Sequence, residues 1–122
     1  RTINTEKVTI TKLDDFYTFN NPISIIKCDI EGFELEFLKG SFDTITKYKP
    51  IMILELNPSE VTYRSQEIIN FILSMGNYEF YKIRYFGLLK LNNFDLHNTT
   101  DVVCMIPSLH KKRFNNIKIR CE

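Results

Sequence analysis

Two apolar, largely β-branched runs, Ile23-Ser24-Ile25-Ile26-Lys27-Cys28-Asp29-Ile30 and Ile51-Met52-Ile53-Leu54-Glu55-Leu56, bracket a stretch of helical period, and this unit limits the fold more than any other feature. Runs of that kind, too apolar to face water on either side, are strands of a parallel sheet covered by helices on both faces. Between them Leu35, Leu38, Phe42 and Ile45 recur at helical spacing with Glu36, Lys39, Asp43 and Lys47 interspersed, which predicts one amphipathic helix. Lys49-Pro50 ends it, because the residue before proline is disfavoured in helix. Strand, helix, strand is the repeating unit of an α/β fold.

The flanking sequence extends the alternation. Val8-Thr9-Ile10-Thr11 alternates apolar and polar residues and predicts a strand, and Leu13-Asp14-Asp15-Phe16 follows as a short helix with an Asp suited to its N-cap. A helix is expected over Val61 to Met75, with Gly76-Asn77 as residues that tolerate a left-handed C-terminus. Tyr78 to Arg84 and Val102 to Ile106 predict two more strands, joined by a polar stretch, and the basic tail from His110 is expected to be peripheral. No linker or repeat divides the 122 residues, so one unit over 1–122 is predicted.

Composition removes several function classes. Sixteen basic against fifteen acidic residues provide no field to draw in nucleic acid or an anionic membrane. Cys28, Cys104 and Cys121 are too few and too scattered for a disulfide framework or a metal knuckle, so a reducing, cytoplasmic setting is expected. His97 and His110 read as isolated surface histidines, and no metal site is predicted. The aromatics between Tyr78 and Phe86 read as strand core rather than as a nucleic-acid stacking face. The basic residues Lys111, Lys112, Arg113, Lys118 and Arg120 read as a solvated end.

In open α/β sheets ligands bind beyond the carboxyl ends of the strands, and acids stand at three such places. Asp29 and Glu31 follow the first apolar run two residues apart, Glu55 and Asn57 end the second, and Asp14 follows the predicted first strand. Asp29 is either a turn or cap residue or a functional acid. Glu34, in the first turn of a helix, is either a helix-end charge or a functional one. Glu31 and Glu55 end buried strands, where a carboxylate needs a partner to offset desolvation. Asp14 reads first as an N-cap and second as a ligand contact.

Lys12-Leu13-Asp14-Asp15-Phe16, Ile25-Ile26-Lys27-Cys28-Asp29-Ile30-Glu31-Gly32-Phe33-Glu34, Leu38-Lys39-Gly40-Ser41 and Lys49-Pro50-Ile51-Met52-Ile53-Leu54-Glu55-Leu56 together resemble the FkbM-type methyltransferases over about Val8 to Asn57. The resemblance implies a Rossmann-like class I methyltransferase sheet of seven strands, of which this chain would supply the C-terminal half. Val8 to Thr11 would be its third strand, Ile23 to Asp29 the fourth and Ile51 to Leu56 the fifth. Tyr78 to Arg84 would be the sixth and Val102 to Ile106 the terminal antiparallel seventh.

What the resemblance implies chemically is methyl transfer from S-adenosylmethionine to an oxygen of a small-molecule or sugar-like acceptor. Asp29 and Glu31 would be the catalytic acids, Glu55 and Asn57 would line the acceptor side, and Asp14 would touch the cofactor's adenine end. The family's glycine-rich cofactor loop has no counterpart here, since Gly32, Gly40, Gly76 and Gly87 do not cluster. The chain alone is therefore expected to be a poor cofactor binder that pairs with an N-terminal half. Two other readings stay open: a non-catalytic interaction module pairing through an open strand edge at Ile25-Ile26, and a magnesium-dependent phosphohydrolase built on Asp29, Glu31 and Glu55.

Overall fold

The computed structural model describes residues 2–16, 21–30, 32–55, 61–91 and 101–121, with side chains in the fourth helix from residue 65. Glu31, Asn57 and His97 therefore lie outside the described residues. The elements run α1 (Leu13–Phe16), β1 (Ile25–Cys28), α2 (Glu34–Lys39), α3 (Phe42–Tyr48), β2 (Ile51–Glu55) and α4 (Val61–Met75). They continue with β3 (Glu79–Arg84), β4 (Gly87–Lys90), β5 (Asp101–Met105), α5 (Pro107–His110), a 3-10 turn (Lys111–Phe114) and β6 (Lys118–Cys121).

One sheet joins all six strands in the order β1-β2-β5-β3-β4-β6. β1 and β2 are parallel, with Ile25 opposite Ile51 and Cys28 opposite Leu54. β5 is inserted antiparallel between β2 and β3, so β1, β2 and β3 share a direction and end at one carboxyl edge. This mixed α/β arrangement, with a late antiparallel strand wedged between two earlier ones, is compatible with the Rossmann-like methyltransferase sheet expected from sequence. No helix among the described residues is long and apolar enough to cross a membrane.

The two faces of the sheet are dressed differently. On one, Leu35, Leu38, Ile45, Ile68, Ile69, Ile72 and Met75 from α2, α3 and α4 bury Ile26, Cys28, Met52, Leu54, Phe80, Val102 and Cys104. On the other, Ile51, Tyr81, Leu88, Val103 and Met105 are backed by Ile53, Phe114 and Ile119. At about 25 cal/mol per Å2 of apolar area removed from water, the helix-covered face carries the larger share of the stabilisation.

Several expectations are corrected. Val8 to Thr11 is not a strand, and Ile10 is 92% exposed; an alternating pattern cannot make a strand without a neighbour to complete its hydrogen bonds. The single helix predicted after residue 34 is two helices, α2 and α3, broken at Gly40-Ser41. Gly76 and Asn77 are not left-handed. Gly76 is instead closely packed: a Cβ there would come within 3.1 Å of Ile106 Cδ1 and 3.3 Å of the Tyr78 ring, so these side chains would have to shift slightly to admit one.

The left-handed residue is Lys49, at φ 47° and ψ 56°, which closes α3 before Pro50. The basic tail does lie at the periphery, mostly exposed, but it is built into the fold as the outermost strand. It adds β6 parallel to β4, itself an unpredicted partner of β3 in a hairpin. His110 is no surface histidine: it is 3% exposed.

Candidate functional site

β1 releases the chain at Cys28, and the exit is built from Gly32 and Glu34. Gly32 has φ 97°, a conformation in which a side chain is strained. Its N–H donates to Glu34 Oε1 at 3.3 Å, and Glu34 is 5% exposed at the start of α2. The buried acid thus staples the turn to the first helical turn, where the helix dipole also favours it. Asp29, immediately before, stands in solvent. The Cys28 thiol is pushed up to about 11 by burial first and then by the charges of Glu34 and Asp29, so it stays protonated at the centre of a negative region.

Asp14 has a structural task beyond those expected of it. It lies inside α1 rather than capping it. Its Oδ1 accepts from Thr44 N at 2.9 Å and Thr44 Oγ1 at 2.7 Å, and its Oδ2 accepts from Asp43 N at 3.0 Å. Its own N–H donates to Gly40 O at 3.0 Å. Asp14 is therefore the cap of α3, some thirty residues away, and it explains why the helical pattern breaks at Gly40-Ser41: the free N–H groups of α3 are satisfied from outside. Burial raises the Asp14 pKa, but the hydrogen bonds from Thr44 and Asp43 outweigh it and hold the carboxyl below its ordinary range.

By clasping α3, Asp14 fixes the segment before α1 against α2. Between them lies a cavity of about 550 Å3 lined by Ile10, Leu13, Ile30, Phe33 and Phe37, with Lys12 and Glu36 as its charged members. Its position beside the β1 exit and its apolar walls suit the flat, weakly polar part of a ligand.

The acids of the carboxyl edge form a row. Since Cys28 is opposite Leu54, Asp29 falls level with Glu55, and Glu55 is directly opposite Asp101. Neighbouring strands are roughly 4.8 Å apart, so three carboxylates occupy the ends of three adjacent strands. Asp101 escaped the sequence reading because it ends a polar stretch and only register places it there. Glu55 is half-buried and Asp101 exposed. This is a line and not a cage: among the described residues no three His, Cys, Asp or Glu side chains converge as metal ligands.

The glycine turn and the acids Asp29 and Glu55 of the carboxyl edge fall within the segment that comparison with known families identifies. The profile of the methyltransferase FkbM domain matches residues 1–80. The chain belongs to the FkbM methyltransferase family. No curated protein and no solved structure matches it. The FkbM match takes in Asp14, Asp29, Glu31, Glu55 and Asn57 and stops inside β3. The β3–β4 turn, Asp101 and the C-terminal strand lie beyond it, so the structure alone describes what they contribute. Family membership supports methyl transfer as the activity class.

Proposed function

We propose that this FkbM chain supplies the acceptor-side half of a site that transfers a methyl group from S-adenosylmethionine to a hydroxyl oxygen of a small-molecule or sugar-like acceptor. The observation that carries the reading is the placing of Asp29 and Glu55, both within the family match, level with one another at the carboxyl edge, with Asp101 beside them from outside the match. The apolar cavity beside it fits the cofactor's heteroaromatic end, with Ile10, Leu13, Ile30 and Phe33 as its walls. Asp14 serves that end as a positioning residue, holding the wall through α3.

The cofactor supplies an electrophilic methyl carbon. When bound, it would give that carbon to the acceptor oxygen and keep the electron pair of the broken C–S bond on its sulfur. The acceptor's proton must leave with the transfer, and a strand-end carboxylate within hydrogen-bond reach receives or orients it. Asp29 and Glu31 take that role, while Glu55 and Asn57 hold the acceptor. Alignment of the two reactants is the rest of the work. With sixteen basic against fifteen acidic residues the chain offers no field for nucleic acid, which is set aside as the acceptor. We infer a reducing, cytosolic compartment, in which the exposed Cys121 remains a thiol.

The uncovered surface favours a partner. Among the described residues β1 has only β2 beside it, and its Ile25 is 57% exposed. A groove of about 500 Å3 crosses the thinly covered face over Ile25, Ile51, Ile53, Ile83 and Val103. An edge strand joined to an apolar groove is a surface for another polypeptide, and we assign it to an N-terminal half carrying the glycine-rich loop. Calorimetric titration of S-adenosylmethionine into the chain extended upstream tests the reading, and absence of binding there sinks it. In the extended enzyme, Asp29→Asn with Glu31→Gln is expected to lower kcat by about 100-fold or more; unchanged turnover removes the acids from the mechanism.

A further inference from the structure

One buried carboxylate takes no part in the transfer itself. Glu34 is 5% exposed and stands at a core position of α2: Leu35 beside it and Leu38 one turn on are buried with Ile26, Cys28 and Leu54. Packing alone is served better there by an apolar side chain, because a carboxylate taken out of water costs free energy that a leucine does not. The acid is accounted for by what its oxygens hold. Oε1 accepts from Gly32 N at 3.3 Å.

The residues on either side of Gly32 face the apolar cavity beside the β1 exit. Phe33 N donates to Ile30 O at 3.3 Å, and Phe37 N donates to Phe33 O at 2.9 Å, so the turn runs directly into α2. Ile30 and Phe33 are the turn's share of the cavity wall, which α2 continues with Glu36, Phe37 and Gly40. Ile30 is 38% and Phe33 65% exposed, so packing does little to fix them. Gly32, at φ 97°, has the freedom of a residue without a Cβ and does not hold the turn by itself. Asp29, next before Ile30, is the acid that meets the acceptor's proton in the proposed transfer. The charges of Glu34 and Asp29 both act on the Cys28 thiol, so the two acids stand near the same end of β1. A tie at Gly32 thus fixes the cavity wall and Asp29 relative to one another.

We propose that Glu34 is a positioning residue: through Gly32 its carboxylate sets Ile30 and Phe33 against the cofactor and so aligns the cofactor with the acid end of β1. The role rests on the methyl-transfer reading for what the cavity holds, whereas the tie between Glu34 and Gly32 is independent of it. Alignment of this kind acts on binding and rate and leaves the fold as it is.

Two substitutions separate this role from ordinary packing. Leucine fills the core position without an acceptor, and glutamine keeps the acceptor without the charge. In the 122-residue chain, amide hydrogen exchange at Gly32, followed by NMR, is expected to be about tenfold faster in Glu34→Leu and about threefold faster in Glu34→Gln. The denaturation midpoint of Glu34→Leu should stay at or above the parent's, since an apolar group replaces a buried charge. In the chain extended upstream, calorimetric titration should show S-adenosylmethionine bound about five- to tenfold more weakly by Glu34→Leu and within about twofold of the parent by Glu34→Gln. Unchanged exchange at Gly32 in both variants overturns the proposal. So does faster exchange in Glu34→Leu with cofactor affinity unchanged, which would make the tie a local feature of the fold. Glutamine changes almost no volume, so its Gly32 exchange decides the tie even if the leucine variant does not fold. Failure of the extended parent to bind S-adenosylmethionine removes the methyl-transfer reading and leaves Gly32 exchange to report the tie, so the two fail separately.

Discussion

Two polar knots hold distant parts of this chain together, and they work in opposite states of charge. In the family-matched region, Asp14 clasps the N-terminus of α3 as an ionised carboxylate with three hydrogen bonds. In the C-terminal third, His110 bridges two backbone groups as a neutral ring: Nδ1 accepts from Ile106 N at 2.8 Å, and Nε2 stands 2.8 Å from the Lys49 carbonyl oxygen. An unprotonated Nδ1 requires the proton on Nε2, which makes Nε2 the donor to Lys49. Asp14 lies at the margin of solvent and His110 in the interior. The same number of chain segments is tied in each case, but the buried knot has no water to replace a lost partner.

That contrast sets the order of effects. His110→Ala leaves the Ile106 N–H and the Lys49 carbonyl unpaired in the interior and removes a ring, so a loss of about 2 to 4 kcal/mol in chemical denaturation is expected. The joint it breaks lies at the entry to β2, where Tyr78 Oη also donates to Pro50 O at 2.6 Å. A loss below about 1 kcal/mol would mean that water fills the gap and that the knot is not dry. Asp14→Ala removes a cap at the surface, and about 1 to 2 kcal/mol is expected. Asp14→Asn keeps the Oδ1 acceptor for Thr44 and loses the one for Asp43, so it should fall between.

Acid sharpens the comparison because both groups have depressed folded values with different origins. Burial lowers His110 first, the Lys49 hydrogen bond works against that, and Arg113 adds to the lowering. Its contribution is full above the unfolded value of about 6.5 and is lost as pH falls from there through the folded value. Asp14 behaves alike in sign but in a lower window, with its contribution present above about 3.9 and lost as pH falls through its folded value. Stability measured against pH should therefore decline in two stages. His110→Gln should abolish the upper one and Asp14→Asn the lower. A single acidic transition in the parent chain would show that the two knots unfold together.

Legibility in the sequence followed the same divide. The strands at Ile25 and Ile51, the helix from Val61 to Met75 and the acids at strand ends were readable, because period and position along the chain are local properties. The helix break at Gly40-Ser41 was not, since the cap that permits it comes from Asp14, far back in sequence. Asp101 was invisible for a related reason: register, and not composition, brings it to the carboxyl edge. Tyr85 read as strand core among its aromatic neighbours and is instead 98% exposed, since β3 ends before it. His110 looked like a surface residue because a histidine in a basic tail carries no sign of its burial. The alternation at Val8 to Thr11 misled in the other direction, since a strand pattern states what a segment could pair with and not whether a neighbour is there.

Lys49 joins the two regions, and the smallest effect tests how. It ends α3 in the left-handed conformation, its Nζ donates to Met75 O at 3.3 Å at the end of α4, and its carbonyl receives His110. A left-handed non-glycine residue costs roughly 1 to 2 kcal/mol, and the Nζ bond returns about 1 of it. Lys49→Ala keeps the backbone cost and loses the bond, so a loss of about 1 kcal/mol is expected. Lys49→Gly relieves the backbone, loses the same bond and frees the unfolded chain, which nearly cancel. The measurement that matters is the difference: glycine should exceed alanine in stability by about 1 kcal/mol. Equal values would mean that Lys49 is held without strain, and the joint between α3 and β2 would then owe its shape to Pro50 and His110 alone.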